Sequence, residues 1–275
     1  MHERLSVHSV CFPGAGFREL AGYWRELGTH RVSLASHLLL EESLPAAQEA
    51  LQASHCAVES ITHPFLPGRH LERREESWRD ARETLTQVIQ AANSLGACSI
   101  YMLTGGHGSL TWEEAAEVFS TAIAPCVIQA KEAGVALMVE NSAAAYADIH
   151  IAHTLRDAVT LAEHAGIGVC MDLFACWAEA GLRESIVRAI PGCRLVQVCD
   201  YVYGDRSLPA RAVPGEGAIP IKRILEWTLQ AGYAGAFDIE LIGPRIDAEG
   251  RLPAVRRAAQ ILGEILQELL NGLRR

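Results

Sequence analysis

The chain contains no C-x-x-C pair, no apolar run approaching ~18 residues, no stripe of clustered Lys and Arg, and no G-x-G-x-x-G turn. Each absence removes a class of protein. The eight cysteines, at 11, 56, 98, 126, 170, 176, 193 and 199, lack the spacing of a zinc site or a redox pair. Six lie in or beside apolar runs such as "ACSIYML" and "CRLVQVCD", so they read as buried thiols in a reducing compartment. Without a long apolar stretch no membrane span is expected, and "MHERLSVHSV" has no apolar signal core, so the expected location is the cytoplasm. The net charge of −9 with no basic stripe argues against nucleic-acid binding, which needs clustered cations. No linker or low-complexity segment interrupts the sequence, which predicts one domain over 1–275.

What is present is a repeated alternation. With hydrophobic residues at 49% and charged residues at 21%, the chain can bury a large core, and disorder is excluded. Eight short apolar runs stand at 5–11, 30–35, 56–61, 98–103, 135–140, 167–172, 194–199 and 236–241. Each is followed by an amphipathic segment, most clearly at 72–95, 111–133, 154–165, 219–231 and 252–271. Strands alternating with helices predict parallel pairing through crossovers, and eight units in about 250 residues are the count of a (β/α)8 TIM barrel. The alternative, a doubly wound open sheet, is disfavoured because "CFPGAGFREL" after the first run has only G-A-G and no third glycine at the right spacing. Thr111 followed by Glu114 reads as a capping box at a helix start. The one long irregular stretch, 200–218, follows the seventh run, on the side where barrel active sites lie.

The informative feature is where the acids fall. Glu140 closes "VALMVE", Asp172 closes "IGVCMD" and Glu240 lies near the end of "AFDIEL". A carboxylate at the end of a buried strand is costly unless it is paired or bound to a cation. Three of them at the mouth of one barrel would repel each other, and a divalent cation removes that repulsion. On the seventh strand, Gln197 offers a neutral amide oxygen. An all-oxygen set of Glu140, Asp172, Gln197 and Glu240 suits Mg²⁺ or Mn²⁺ better than Zn²⁺, with Zn²⁺ and Co²⁺ as alternatives.

The order of "VEN", "MDLFACW", "VQVCDY" with a downstream "PGEG", and "FDIEL" resembles the xylose-isomerase-like TIM-barrel superfamily, also called sugar phosphate isomerase/epimerase-like. The resemblance covers nearly the whole chain and is strongest over 135–243. It implies metal ligands at Glu140, Asp172, Gln197 and Glu240, with Glu140 and Glu240 also serving as acid–base catalysts. Two departures stand out. Many members have His where this chain has Gln197, and Gln there resembles the bacterial 3-dehydroshikimate dehydratase branch. Many also have His where this chain has Ala175, a residue that often assists substrate binding or proton transfer.

Further candidates come from the strand ends and the long loop. His63 and His107 follow strands three and four and are expected to bind substrate, since His transfers protons near neutrality. Arg206 and Arg211 in the long loop could clamp a carboxylate or phosphate, and Trp177 could wall a sugar ring. The expected function is a metal-dependent isomerase or epimerase of a keto-sugar or keto-cyclitol, working through an enediolate. A dehydratase, in which the enolate expels a β-hydroxyl, is the alternative, and a non-catalytic barrel subunit is the alternative of another class. A DNA-repair nuclease of the same superfamily would need a multi-His cluster and a basic face, which the chain lacks. The resemblance implies that a homo-oligomer is common, and nothing in the sequence excludes a monomer.

Overall fold

Eight parallel strands close on themselves in sequence order: β1 (Leu5–His8), β2 (Arg31–Ala35), β3 (Ala57–Pro64), β4 (Ser99–Leu103), β5 (Ala136–Glu140), β6 (Gly168–Asp172), β7 (Cys193–Val198) and β8 (Ala236–Ile239). β1 pairs with both β2 and β8, which leaves no free sheet edge. The chain forms a single (β/α)8 TIM barrel, described here for residues 1–273 of a computed structural model. No helix among the described residues is long and apolar enough to cross a membrane.

Helices cover the outer face of the strands. The major ones are Phe17–Leu27, Leu44–Ser54, Arg79–Leu95, Trp112–Glu132, Leu155–Ala165, Leu182–Ala189, Ile221–Gln230 and Arg251–Leu273. Outward residues such as Val7, Val32, Ile61, Ile100, Val139, Val196 and Phe237 are fully buried in the layer between strands and helices. Thr111 caps Trp112–Glu132 in the expected box: its hydroxyl accepts from the Glu114 amide, and the Glu114 carboxylate accepts from the Thr111 amide.

The boundaries differ from the sequence expectation in physically interpretable ways. The first run ends as a strand at His8, because the His8 ring accepts a hydrogen bond from the Val10 amide (3.0 Å) and residues Ser9–Cys11 turn into a 3-10 helix. The helix expected from 72 begins at Arg79, after a 3-10 turn at Glu75–Ser77. β3 runs on to Pro64 and pairs with β4 along its extra length.

The barrel interior is chemically divided. Tyr101, Met138, Cys170, Leu195 and Ala236 form a small apolar cluster inside it. Strands β8, β1, β2, β3 and β4 also carry the buried polar residues Asp238, Ser6, Ser33, Ser60 and Ser99. The Ser6 hydroxyl donates to Asp238 and that of Ser99 to Ser60. Asp238 is pushed up to about 8 by burial, so it holds its proton at neutral pH.

Candidate metal centre

Three carboxylates converge at the C-terminal mouth of the barrel. Glu140 is the last residue of β5, Asp172 the last of β6, and Glu240 follows β8 directly. Each can offer an oxygen such that all three lie within 4.8 Å of one another, and all three side chains are buried. Burial, then Glu240 and Asp172, drive the Glu140 pKa well above the usual carboxylate range. Burial raises Glu240 to about 7, although the Arg211 guanidinium pulls the other way.

One cation is built in. Arg211 is only 7% exposed. Its Nη1 and Nη2 donate to the two oxygens of Asp172, at 3.1 and 3.0 Å, and Nη2 lies 3.2 Å from Glu240 Oε2. Nη1 also reaches the Cys199 sulfur at 3.3 Å, while Nε has no partner among the described residues. The guanidinium lies 4.8 Å above the Phe174 ring. Burial opposes its charge, but Asp172 and Glu240 outweigh burial and hold its pKa above the ordinary value.

The acceptor capacity that remains fits a metal ion. A carboxylate oxygen accepts about two hydrogen bonds. Asp172 Oδ1 already accepts from Arg211 and from the Phe174 amide (2.9 Å), and Glu240 Oε2 accepts from Gln197 and faces Arg211. Among the described residues, both Glu140 oxygens and Glu240 Oε1 accept nothing. Each of the three acids thus keeps an open lone pair. With all three carboxylates ionised, the single guanidinium would leave two negative charges, which a divalent cation neutralises; without a cation, burial and mutual repulsion keep protons on Glu140 and Glu240.

The surrounding loops fix these groups through the backbone. Asn141 bonds both backbone groups of Asp172, donating to its carbonyl (2.8 Å) and accepting from its amide (3.0 Å). His150 Nδ1 accepts from the Thr104 amide (3.0 Å), so the proton is on Nε2, which donates to the Glu140 carbonyl (2.7 Å). Burial lowers His150 to about 4, and it stays neutral. Asp200 organises the loop that carries Arg211. Its carboxylate accepts from the amides of Tyr201, Gly215, Gly217 and Ile219, all at 2.8 to 3.0 Å. Its backbone pairs with Ala212, the residue next to Arg211. A side chain at Gly217 would collide with Asp200, which accounts for the second glycine of "PGEG".

The other residues singled out in the sequence fall in varied places. Trp177 is half-buried and packs beside Tyr201 and Tyr203, with Tyr201 against Phe174, so an aromatic wall joins it to Arg211. Arg206 is exposed and donates to the Tyr201 hydroxyl (3.0 Å). His63 is buried beside the Ser36 hydroxyl (3.0 Å), and strand alternation puts it on the face opposite Thr62, whose partner Tyr101 points inward. His107 is exposed on the loop after β4. The glycines of "TGGHG" serve packing: side chains at Gly105 and Gly106 would strike Leu66 and the Asp148 carbonyl. Hydrogen bonds join neither histidine to the carboxylates. Residues that the sequence did not single out are closer. Tyr146 is in electrostatic reach of Arg211, Glu240, Asp172 and Glu140, and Tyr101 and His8 lie beneath Gln197.

The family described as the xylose isomerase-like TIM barrel matches residues 21–265. The chain belongs to this family. Among solved structures, this xylose isomerase-like barrel is similar to protein SMc04130 from Sinorhizobium meliloti 1021 (22% identity, TM-score 0.81, covering 97% of this chain and 98% of the other). It is similar also to an IolI protein with a bound zinc atom (15%, 0.81, 97% and 99%) and to an L-ribulose 3-epimerase (17%, 0.81, 98% and 97%). At these identities the likeness establishes the fold alone. No curated protein matches the xylose isomerase-like chain by sequence.

Proposed function

We propose that the chain is a divalent-metal-dependent isomerase or epimerase of an uncharged keto-sugar or keto-cyclitol, working through an enediolate. The observation that carries this reading is the convergence of Glu140, Asp172 and Glu240, each with an open oxygen, beside a single guanidinium. These three would hold the cation, and their oxygen chemistry suits Mg²⁺ or Mn²⁺ ahead of Zn²⁺ or Co²⁺. Zinc in the similar IolI structure keeps that last pair as the alternative. When bound, the ion polarises a substrate carbonyl and offsets the charge that develops when the neighbouring carbon loses its proton.

Glu140 and Glu240 are the proton-transfer groups. Glu240 borders the metal position, so its carboxylate can take the proton from the carbon beside the carbonyl and return it. The two acids come from different strands. A carbon between them that loses its proton to one and regains it from the other is inverted. Transfer by one acid between adjacent carbons isomerises instead. Tyr146 and the wall of Trp177, Tyr201 and Phe174 would face the sugar carbons.

Arg211 supports an uncharged substrate. Its terminal nitrogens are taken up by Asp172, Glu240 and Cys199, leaving one N–H, so it has no free fork for a carboxylate or phosphate. This weighs against an anion such as 3-dehydroshikimate. Elimination of water from a neutral cyclitol remains the second reading, favoured by Gln197. Incubation of the Mn²⁺-loaded protein with keto-sugars and inososes in D₂O tests both. Solvent deuterium should enter at the carbon beside the carbonyl, and Glu240→Gln should abolish the exchange; exchange retained in that variant rejects the assignment. Ultraviolet absorbance of a conjugated product marks the lyase. Failure to bind metal under any loading condition favours a non-catalytic barrel.

A further inference from the structure

The aromatic wall beside Arg211 continues past the metal centre into solvent. Its inner end is Phe174, whose ring lies 4.8 Å from the Arg211 guanidinium and 6.0 Å from the Tyr201 ring. Beyond it, Tyr201, Trp177 and Tyr203 form a triangle of rings with centroids 6.2 to 6.3 Å apart. Phe174 and Trp177 stand three residues apart on the short helical turn that starts after Asp172. They therefore share a face, with Trp177 one turn farther from the strand end. Tyr201 and Tyr203 come from the loop after β7.

The outer end of the wall is held open. Tyr203 is 75% exposed, more than any other large hydrophobic residue among the described residues. The turn that carries it is fixed from within. The Tyr201 hydroxyl donates to the Asp205 carbonyl (3.0 Å), the Asp205 carboxylate accepts from the Ser207 amide (2.9 Å), and Arg206 donates to the Tyr201 hydroxyl (3.0 Å). A large ring held out in water, continuous with a buried polar site, is the surface a ligand covers. Aromatic faces take flat and largely apolar faces, such as the C–H side of a sugar ring or another aromatic ring. A single sugar ring, no wider than one of these side chains, covers Phe174 and Tyr201 from the metal and leaves Tyr203 bare.

We propose that this triangle is a subsite for a second ring, carried in glycosidic linkage by the sugar that reacts at the metal. The proposal rests on the keto-sugar reading above and narrows it. A glycosylated anomeric carbon is an acetal and does not open to a carbonyl. The carbonyl beside which the proton leaves is then a ketone on a ring carbon. The C–H bond breaks, its electron pair enters the enediolate, and a proton returned to the opposite face of the same carbon restores the ketone. Nothing is oxidised or reduced, and no group leaves. The reaction so defined is epimerisation beside a ring ketone, not interconversion of an aldose with a ketose. Trp177 and Tyr203 select the glycoside and touch no reacting atom.

Glycosides that lack the ketone probe the subsite without turnover. The probes are the methyl and phenyl glycosides of glucose, galactose, mannose and xylose, in both anomers, with affinities read by saturation-transfer NMR on the full chain. In at least one pair the phenyl glycoside should bind about tenfold tighter, the scale of one aromatic stacking contact. Tyr203→Ala, on its exposed turn, and Trp177→Ala should each abolish that difference. In the Mn²⁺-loaded protein the sugar protons should relax faster than the phenyl protons, because the phenyl ring points away from the metal. No phenyl preference in any pair overturns the proposal, and so does a preference kept in either variant or faster relaxation of the phenyl protons. If Trp177→Ala does not fold, Tyr203→Ala alone decides. A sedimentation shift from dimer to monomer in Tyr203→Ala assigns the triangle to a second copy of the chain and also overturns the subsite. A wild-type chain that binds no Mn²⁺ rejects the metal reading instead, and the phenyl preference still decides the subsite.

Discussion

At the scale of single residues, the buried ionisable groups set opposing pH dependences. His8, at about 3, and His63 and His150, each at about 4, are lowered by burial. The folded protein then binds fewer protons than the unfolded chain, so these three add stability as pH rises from about 4 to about 6.5 and nothing further above that. Glu140 (well raised), Glu240 (about 7) and Asp238 (about 8) have the reverse sign: their contribution is lost as pH climbs from about 4 through their folded pKa values. Between about 4.5 and 6.5 the two sets largely cancel. From 6.5 to 8 the acids act alone. The melting temperature of protein kept in a chelator should be nearly flat over the first interval and fall over the second. Saturating Mn²⁺ should reduce the fall by stabilising ionised Glu140 and Glu240, leaving the share that Asp238 contributes. A metal-free melting temperature that rises from pH 6.5 to 8 contradicts the buried-acid account. The three acids were visible in the sequence because a carboxylate ending an apolar run is conspicuous. His150 and Asn141 were not, because they act on backbone atoms of distant residues, and nothing local marks such contacts.

At the scale of elements, the segment 200–218 shows how a loop acquires a fixed shape. Asp200 gathers four amides onto one carboxylate and pairs with Ala212, which brings Arg211 to Asp172 and Glu240. Asp200→Ala should cost on the order of 3 kcal/mol, since one buried and three part-buried amides lose their carboxylate acceptor. Urea unfolding should register the loss, and proteases should gain cleavage sites within 200–218. An unchanged digestion pattern would show that the loop holds its shape by other means. The sequence indicated that this loop mattered, and "PGEG" hinted at close backbone packing, yet it could not separate Arg211 from Arg206. Arg211 adjoins Ala212 and is carried inward by its pairing with Asp200, whereas Arg206 lies in the exposed part of the same loop. Strand identities were legible throughout, since apolar runs of six or seven residues recur between amphipathic segments. The end of β1 was hidden because the His8 ring captures the Val10 amide, an interaction that apolar periodicity does not register. His63 misled for a related reason: it follows an apolar run, but β3 continues through it and alternation turns it outward.

At the scale of the whole molecule, the closed barrel concentrates negative charge at one end of a rigid frame. Metal binding and folding are therefore linked. At a hundredfold excess of metal over its Kd the folded state gains about 2.7 kcal/mol. For a chain of this size that corresponds to a rise of roughly 5–10 °C in melting temperature. Differential scanning calorimetry with and without Mn²⁺ checks this, and Asp172→Asn should lose the response. A melting temperature indifferent to every divalent ion rejects the site. The barrel was legible from the count and spacing of its units. Substrate identity is not encoded at that scale, because one frame serves many reactions through its loops.

The four amides wrapped around Asp200 carry a kinetic consequence. The strap bearing Arg211 is already closed by bonds internal to the chain, so the site does not depend on the substrate to assemble it. Substrate entry should then follow a single-step, lock-and-key association, with an observed rate linear in concentration and no plateau from a slow closing step.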